Sequence, residues 1–175
     1  MMSLINHEAI QATKVAKCKT DYGAETENCL QMPMAKRVLL IEDSEDWRLY
    51  FETILREKIF IPIKVFHCRI GIEAVDECHR VEPDLIIINI SKPTMEGIKA
   101  AKQIWRSYPY MSILFWTQYH RQTHLRELAS ILPDQAIHGY VVKTESDDRL
   151  VNAIQSLLLY DSPYIDPIAS SFPSV

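Results

Sequence analysis

Leu85-Ile86-Ile87-Ile88-Asn89 decides the fold of this chain. It is a continuous apolar run, rich in β-branched residues and ended by a polar one. A run that does not alternate suits a strand of a parallel sheet, buried on both faces. Its β-branched content predicts a central position. Working toward the N-terminus, Val38-Leu39-Leu40-Ile41 has the same character. Between the two runs, Ser44 offers a helix cap, with Glu45 and Asp46 in the first turn, where the helix dipole favours acids. Trp47, Tyr50, Phe51, Ile54 and Leu55 then trace one face of a helix. Ile61 to Phe66 reads as a further strand, its Pro62 fitting at the start or on an edge, and Ile72, Val75 and Cys78 mark a shorter helix.

Working toward the C-terminus, Ser91-Lys92-Pro93-Thr94 is turn-rich, and Ile98, Ala101, Ile104 and Trp105 form a third helical stripe. Ile113-Leu114-Phe115-Trp116 reads as strand four. A helix from about His120 to Ile131 precedes strand five, Tyr140-Val141-Val142. Leu150, Ala153, Ile154, Leu157 and Leu158 make the last helix. Strand then helix, five times over, predicts a five-stranded, doubly wound parallel sheet in a three-layer α/β/α arrangement with right-handed crossovers. In such sheets ligands bind outside the carboxyl ends of the strands.

Composition agrees. The chain has 175 residues, 47% hydrophobic and 24% charged, which suits an ordinary globular domain. A formal charge of −4 argues against a nucleic-acid surface on this chain. No apolar run reaches the ~18 residues of a membrane span. Cys18, Cys29, Cys68 and Cys78 show no C-x-x-C spacing. Reduced thiols in a cytoplasmic protein are the expectation. Residues 1–35 lack the strand-helix pattern and are expected to be a flexible extension or, with Met32 and Met34 close by, a mis-set start. The globular part is expected at residues 36–160, with a linker-like tail at residues 161–175.

The predicted strand ends carry Glu42-Asp43, Asn89, Thr117 and Lys143. Singly each is an ordinary loop end. Together they converge on one rim. Two carboxylates there suit a hard cation such as magnesium, and a lysine with a threonine hydroxyl suits the oxygens of a phosphoryl group.

The order Glu42-Asp43, then Pro83 to Gly97, then Thr117, then Gly139-Tyr140-Val141-Val142-Lys143 resembles the receiver domain of bacterial response regulators, over about residues 36–160. The resemblance implies a flavodoxin-like receiver fold and a place in two-component phosphorelay signalling. In that family a histidine kinase passes a phosphoryl group to an aspartate at the end of strand three. The acidic pair binds magnesium, the threonine and lysine grip the phosphoryl oxygens, and an aromatic on strand five, here Tyr140, changes rotamer. Ser162-Pro163-Tyr164-Ile165-Asp166-Pro167 resembles the segment that leads from receiver to helix-turn-helix in NarL/FixJ-type regulators.

This chain departs from the family at the chemistry. Asn89 stands where the phosphoacceptor aspartate is expected, and a neutral carboxamide cannot form an acyl phosphate by attack on phosphorus. Asp84 is expected at the opposite end of the strand. Thr144 replaces a common proline, and the stretch from Thr117 to Lys143 is slightly long. The sequence thus reads as a pseudo-receiver, not an enzyme, that works through protein contacts. Its expected partners are a histidine kinase or a response regulator, with no nucleic acid or membrane bound by the chain itself. Glu42 and Asp43 are expected to form at most a weak, vestigial magnesium site, with no other cofactor. The rival reading is a truncated NarL/FixJ-type DNA-binding regulator without its helix-turn-helix. A small enzyme of flavodoxin-like architecture ranks last, since a strand-one loop with two acids repels phosphate cofactors.

Other features have plain readings. His120 and His124 suit a solvated helix face. His67-Cys68 and Cys78-His79 are too far apart along a helix to share an ion. Trp47, Trp105 and Trp116 are expected in the core, Trp116 being the one placed to approach the crevice. Val151, Leu159 and Tyr160 lie off the inward stripe of the last helix and offer a docking face, including for a homodimer.

Overall fold

The computed structural model describes residues 34–69, 73–90, 96–118, 122–143 and 146–167, with only the backbone described at 122–125. The elements alternate strictly: β1 (Lys36–Ile41), α1 (Glu45–Lys58), β2 (Ile63–Cys68), α2 (Glu73–Val81), β3 (Leu85–Asn89), α3 (Glu96–Ser107), β4 (Ile113–Thr117), α4 (Gln122–Ala129), β5 (His138–Val142), α5 (Asp148–Leu159) and β6 (Tyr164–Ile165). All neighbouring strands pair in parallel, in the order β2-β1-β3-β4-β5-β6. The expected parallel sheet is therefore present, with one strand more than the five expected.

Strand alternation divides the core into two layers. Leu39, Ile41, Ile86, Ile88 and Phe115 pack with residues of α2 and α3, among them Cys78, Ile98 and Trp105. Val38, Leu40, Leu85, Ile87 and Trp116 pack with residues of α1 and α5, among them Phe51, Ile54, Leu150 and Leu157. Every residue of β3 is buried, which is why its run shows no polar alternation. Pro62 sits just before β2, at the sheet's edge, and its carbonyl accepts from Lys36 N at 2.8 Å.

Two glycines mark close approaches. A Cβ on Gly97 would stand 2.5 Å from the Asn89 carbonyl oxygen, so α3 begins pressed against the end of β3. A Cβ on Gly139 would meet Leu114, Leu157 and the Tyr164 carbonyl, all within 3.2 Å, so β6 can reach β5 only because that position is bare.

The described start of the tail, residues 161–167, packs on the sheet. Asp161, at φ 45°, turns the chain back after α5. Tyr164 and Ile165 then pair with Gly139 and Tyr140. Asp166 N donates to the Tyr140 carbonyl at 2.9 Å. The Asp166 carboxylate is fully buried; it accepts from Val142 N at 3.3 Å and from Arg149 Nη1 at 3.0 Å. A two-residue strand has no periodicity to read, and a polar side chain holds it.

Candidate functional site

The carboxyl ends of β1, β3, β4 and β5 bring Glu42, Asn89, Thr117 and Lys143 to one rim, and a closed polar cluster forms there. Glu42, the residue after β1, turns its carboxylate inward, where it is 1% exposed. Its Oε1 accepts from Asn89 Nδ2 at 3.0 Å and from Ser44 N at 3.0 Å. Its Oε2 accepts from Lys143 Nζ at 2.6 Å, an ion pair with both side chains 1% exposed. Asn89 is thus used as a donor, which an aspartate could not be in its ionised form.

Lys143 reaches this position because its backbone continues the ladder, its N donating to the Thr117 carbonyl at 2.6 Å. Alternation along β5 turns its side chain toward the α1–α5 layer. There its ammonium lies 4.3 Å from the Trp47 ring centroid and 4.2 Å from the Trp116 ring centroid. Burial pushes the Lys143 pKa below the usual lysine value, against the opposing pull of Glu42. The Thr117 hydroxyl, fully buried, donates to the Ile90 carbonyl at 2.7 Å.

The start of α1 is tied to the same cluster. Ser44 caps the helix by accepting from Trp47 N at 3.4 Å, and Arg48 Nη1 donates to the Glu42 carbonyl at 2.8 Å and the Asp43 carbonyl at 3.1 Å. Asp43 is solvent-exposed, so the acidic pair is split: one carboxylate inside, one outside. Tyr140 packs in the other layer, with α2 and α3. Burial, aided by the Asp166 carboxylate, raises its pKa to about 12. Asp84 lies at the far end of β3, accepting from Arg37 N at 2.7 Å.

Glu42 is not placed as a magnesium ligand. The ion takes oxygen ligands in a near-octahedral shell and keeps several waters; to use Glu42 it would have to draw that carboxylate away from a lysine, an amide and a backbone N–H at once, which leaves Asp43 as the exposed carboxylate of the pair. Among the described residues no group of three His, Cys, Asp or Glu side chains is placed to hold a metal ion. His67 is engaged by Glu52 at 2.6 Å and His79 by the Tyr108 hydroxyl at 3.1 Å, while Cys68 and Cys78 are buried free thiols. His120, Lys92, Pro93, Thr94 and Thr144 lie outside the described residues, as does the His124 side chain.

A family model for the response regulator receiver domain matches residues 38–155. The chain belongs to the response regulator receiver family. Among its relatives in that family is the chemotaxis protein CheY of Halobacterium salinarum, 29% identical over 125 residues, which are 71% of this chain and 98% of the relative. The response regulator protein VraR of Staphylococcus saprophyticus is 25% identical over 122 residues, 70% of this chain but only 56% of VraR. The chain therefore spans little more than half of that relative's length. The response regulator TrrA of Thermotoga maritima, solved in complex with Mg(2+)-BeF, aligns with a TM-score of 0.58 and 26% identity, covering 70% of this chain and 99% of TrrA. As a receiver domain the chain belongs to two-component signalling, and none of the described helices is long and apolar enough to cross a membrane.

Sequence reasoning found Glu42, Asn89, Thr117 and Lys143, which the fold brings together. It pointed to Trp116 as the tryptophan able to approach the crevice, and it missed Ser44 N and Trp47 as neighbours of the cluster. The adjacency of Trp116 to Thr117 was a usable signal; nothing in the sequence linked Trp47 to Lys143.

Proposed function

We propose that this chain is a pseudo-receiver: a receiver domain that signals through protein contacts and takes no phosphoryl group at Asn89. The observation that carries the reading is the Asn89 amide donating to a buried Glu42 that is already paired with Lys143. The residue at the acceptor position is chemically unable to form the acyl phosphate, and its neighbours are satisfied without a ligand. A domain in this condition holds one conformation and presents one surface. Its partners are a histidine kinase or a response regulator. A homodimer through α5 is the favoured self-contact, because Leu159 and Tyr160 are exposed at the end of that helix while Val151 packs partly against the core.

The test is incubation with acetyl phosphate and magnesium followed by intact-mass measurement. The expected result is the unmodified mass. A stoichiometric, acid-labile adduct would reject the reading.

A further inference from the structure

We propose that Trp47 and Trp116 form a sheath that, with Glu42, confines the Lys143 ammonium inside the rim, so that a carboxylate restored at position 89 is not enough to make the crevice accept a phosphoryl group. This rests on the pseudo-receiver reading and adds a second barrier to it, independent of the residue at 89.

The geometry is specific. One side of the ammonium meets Glu42 Oε2 at 2.6 Å. Two others meet indole faces at 4.2 and 4.3 Å, within the range at which a cation is attracted to an aromatic ring. The two indoles are themselves in edge-to-face contact, centroids 5.4 Å apart at 84°, and Tyr50 stacks on Trp116 at 6.3 Å. The lysine is therefore enclosed by a carboxylate and a braced aromatic pair, and its side chain is 1% exposed.

To meet an anion in the crevice, Nζ would have to leave both rings and strand Glu42 in the interior without its cation, an outcome that buried ion pairs strongly resist. The sheath and the carboxylate also move together. Trp47 stands in the first turn of α1, and that turn is held to Glu42 through Ser44 N and Arg48. The Thr117 hydroxyl is turned to the Ile90 carbonyl, so both groups suited to phosphoryl oxygens are bound to the protein itself.

The experiment compares wild type, Asn89→Asp, Trp47→Ala and the double variant, with Trp47→Leu as a second, bulkier opening of the sheath. Each is treated with acetyl phosphate and magnesium. Labelling is attack of the introduced carboxylate oxygen on phosphorus, with the phosphorus–oxygen bond to acetate breaking and acetate leaving; intact mass reads it. In parallel, lysines are acetylated with an N-hydroxysuccinimide ester and mapped by peptide mass, a measurement that needs no phosphoryl chemistry. The expected results are an unlabelled Asn89→Asp protein, a labelled double variant, and a Lys143 that resists acetylation in wild type while exposed Lys99 and Lys102 react. With Trp47 replaced by Ala or Leu, Lys143 acetylation should approach that of Lys99. The proposal is overturned if Asn89→Asp alone labels as fully as the double variant, if Lys143 reacts in wild type as Lys99 does, or if opening the sheath frees Lys143 yet the double variant stays unlabelled. Labelling of wild type would instead overturn the pseudo-receiver reading, which keeps the two failures apart.

Discussion

Replacing Asn89 by Asp should destabilise the domain in a way that depends steeply on pH. The amide nitrogen stands 3.0 Å from Glu42 Oε1, so an oxygen in its place faces a carboxylate that is 1% exposed. If both carboxylates were ionised at that 3.0 Å separation, an effective dielectric of ~20 would give a repulsion of about 5.5 kcal/mol. Keeping one proton on the pair is the cheaper route. It costs ~1.4 kcal/mol for each pH unit above the ordinary carboxyl value of ~4, hence about 4 kcal/mol at pH 7. The shared proton also restores the donor that the substitution removed. The folded variant therefore binds one proton more than its unfolded chain. Its stability falls as pH rises from about 4 to 7, by ~1.4 kcal/mol per unit, and the deficit is small at the acid end of that window. Urea unfolding of wild type and variant at several pH values across it reads the difference directly. Asn89→Ala is the control: it loses the hydrogen bond without adding charge, and its deficit should be flat with pH. A flat deficit for Asn89→Asp as well, or no deficit, would mean that Asn89 and Glu42 do not face each other inside the rim.

Further expectations concern the same cluster and the elements around it. Lys143→Met should cost about 3–5 kcal/mol in urea melts, because it leaves the buried Glu42 without its cation; a cost under ~1 kcal/mol, typical of exposed pairs, would place the pair at the surface. Tryptophan fluorescence titrated with magnesium should stay flat to millimolar ion, since Glu42 is engaged by three donors; saturation in the micromolar range would contradict that assignment. Asp166→Ala should raise amide hydrogen exchange at Val142 and Asp166 and leave β1 and β3 unchanged, because it removes the anchor of β6 only; unchanged exchange at Val142 would dissociate the tail from β5. Asp147 is held below the usual carboxylate range by the Tyr50 hydroxyl and by Lys58. Its contribution to stability is present above its unfolded value of 3.8 and lost as pH falls through the lower folded one. Tyr50→Phe should therefore flatten the acid limb of the stability profile, and an acid limb equal to that of wild type would deny the contact its role.

How legible each part was in the sequence follows from the range of the forces that set it. The buried strands were plain because Leu85–Ile88 and Val38–Ile41 announce burial on both faces by composition alone. Pro62 and Ser44 likewise carried their positions in their own chemistry. The rim was legible only as a list of residue types at strand ends. That Glu42 and not Asp43 turns inward depends on Asn89 and Lys143, 47 and 101 residues away. The rim read from sequence holds two carboxylates against one lysine; in the fold one carboxylate is neutralised inside and the other faces water, so burial sets the magnitude of any charge change there. Trp47 and Trp116 read as core residues, and both do pack in the α1–α5 layer. Their second use, flanking an ammonium, arises from the height at which β5 delivers Lys143. The two residues of β6 lie below the length at which any hydrophobic period can be seen.

That short strand changes how the flank of the sheet can be approached. A bare β5 edge would offer unpaired amides and carbonyls, an invitation to any extended peptide. Here the chain fills the vacancy with its own Tyr164 and Ile165 and pins them through Asp166 to Arg149 and Val142. An intruding strand would first have to prise a buried carboxylate from its guanidinium. Among the described residues the large apolar side chains Leu159, Tyr160 and Ile165 are each at least 40% exposed here. Among the described residues the edge on this side is thereby reduced from the five residues of β5 to the two of β6, a ladder too short to hold an extended peptide by itself, so a visitor is sorted mainly by the fit of its side chains.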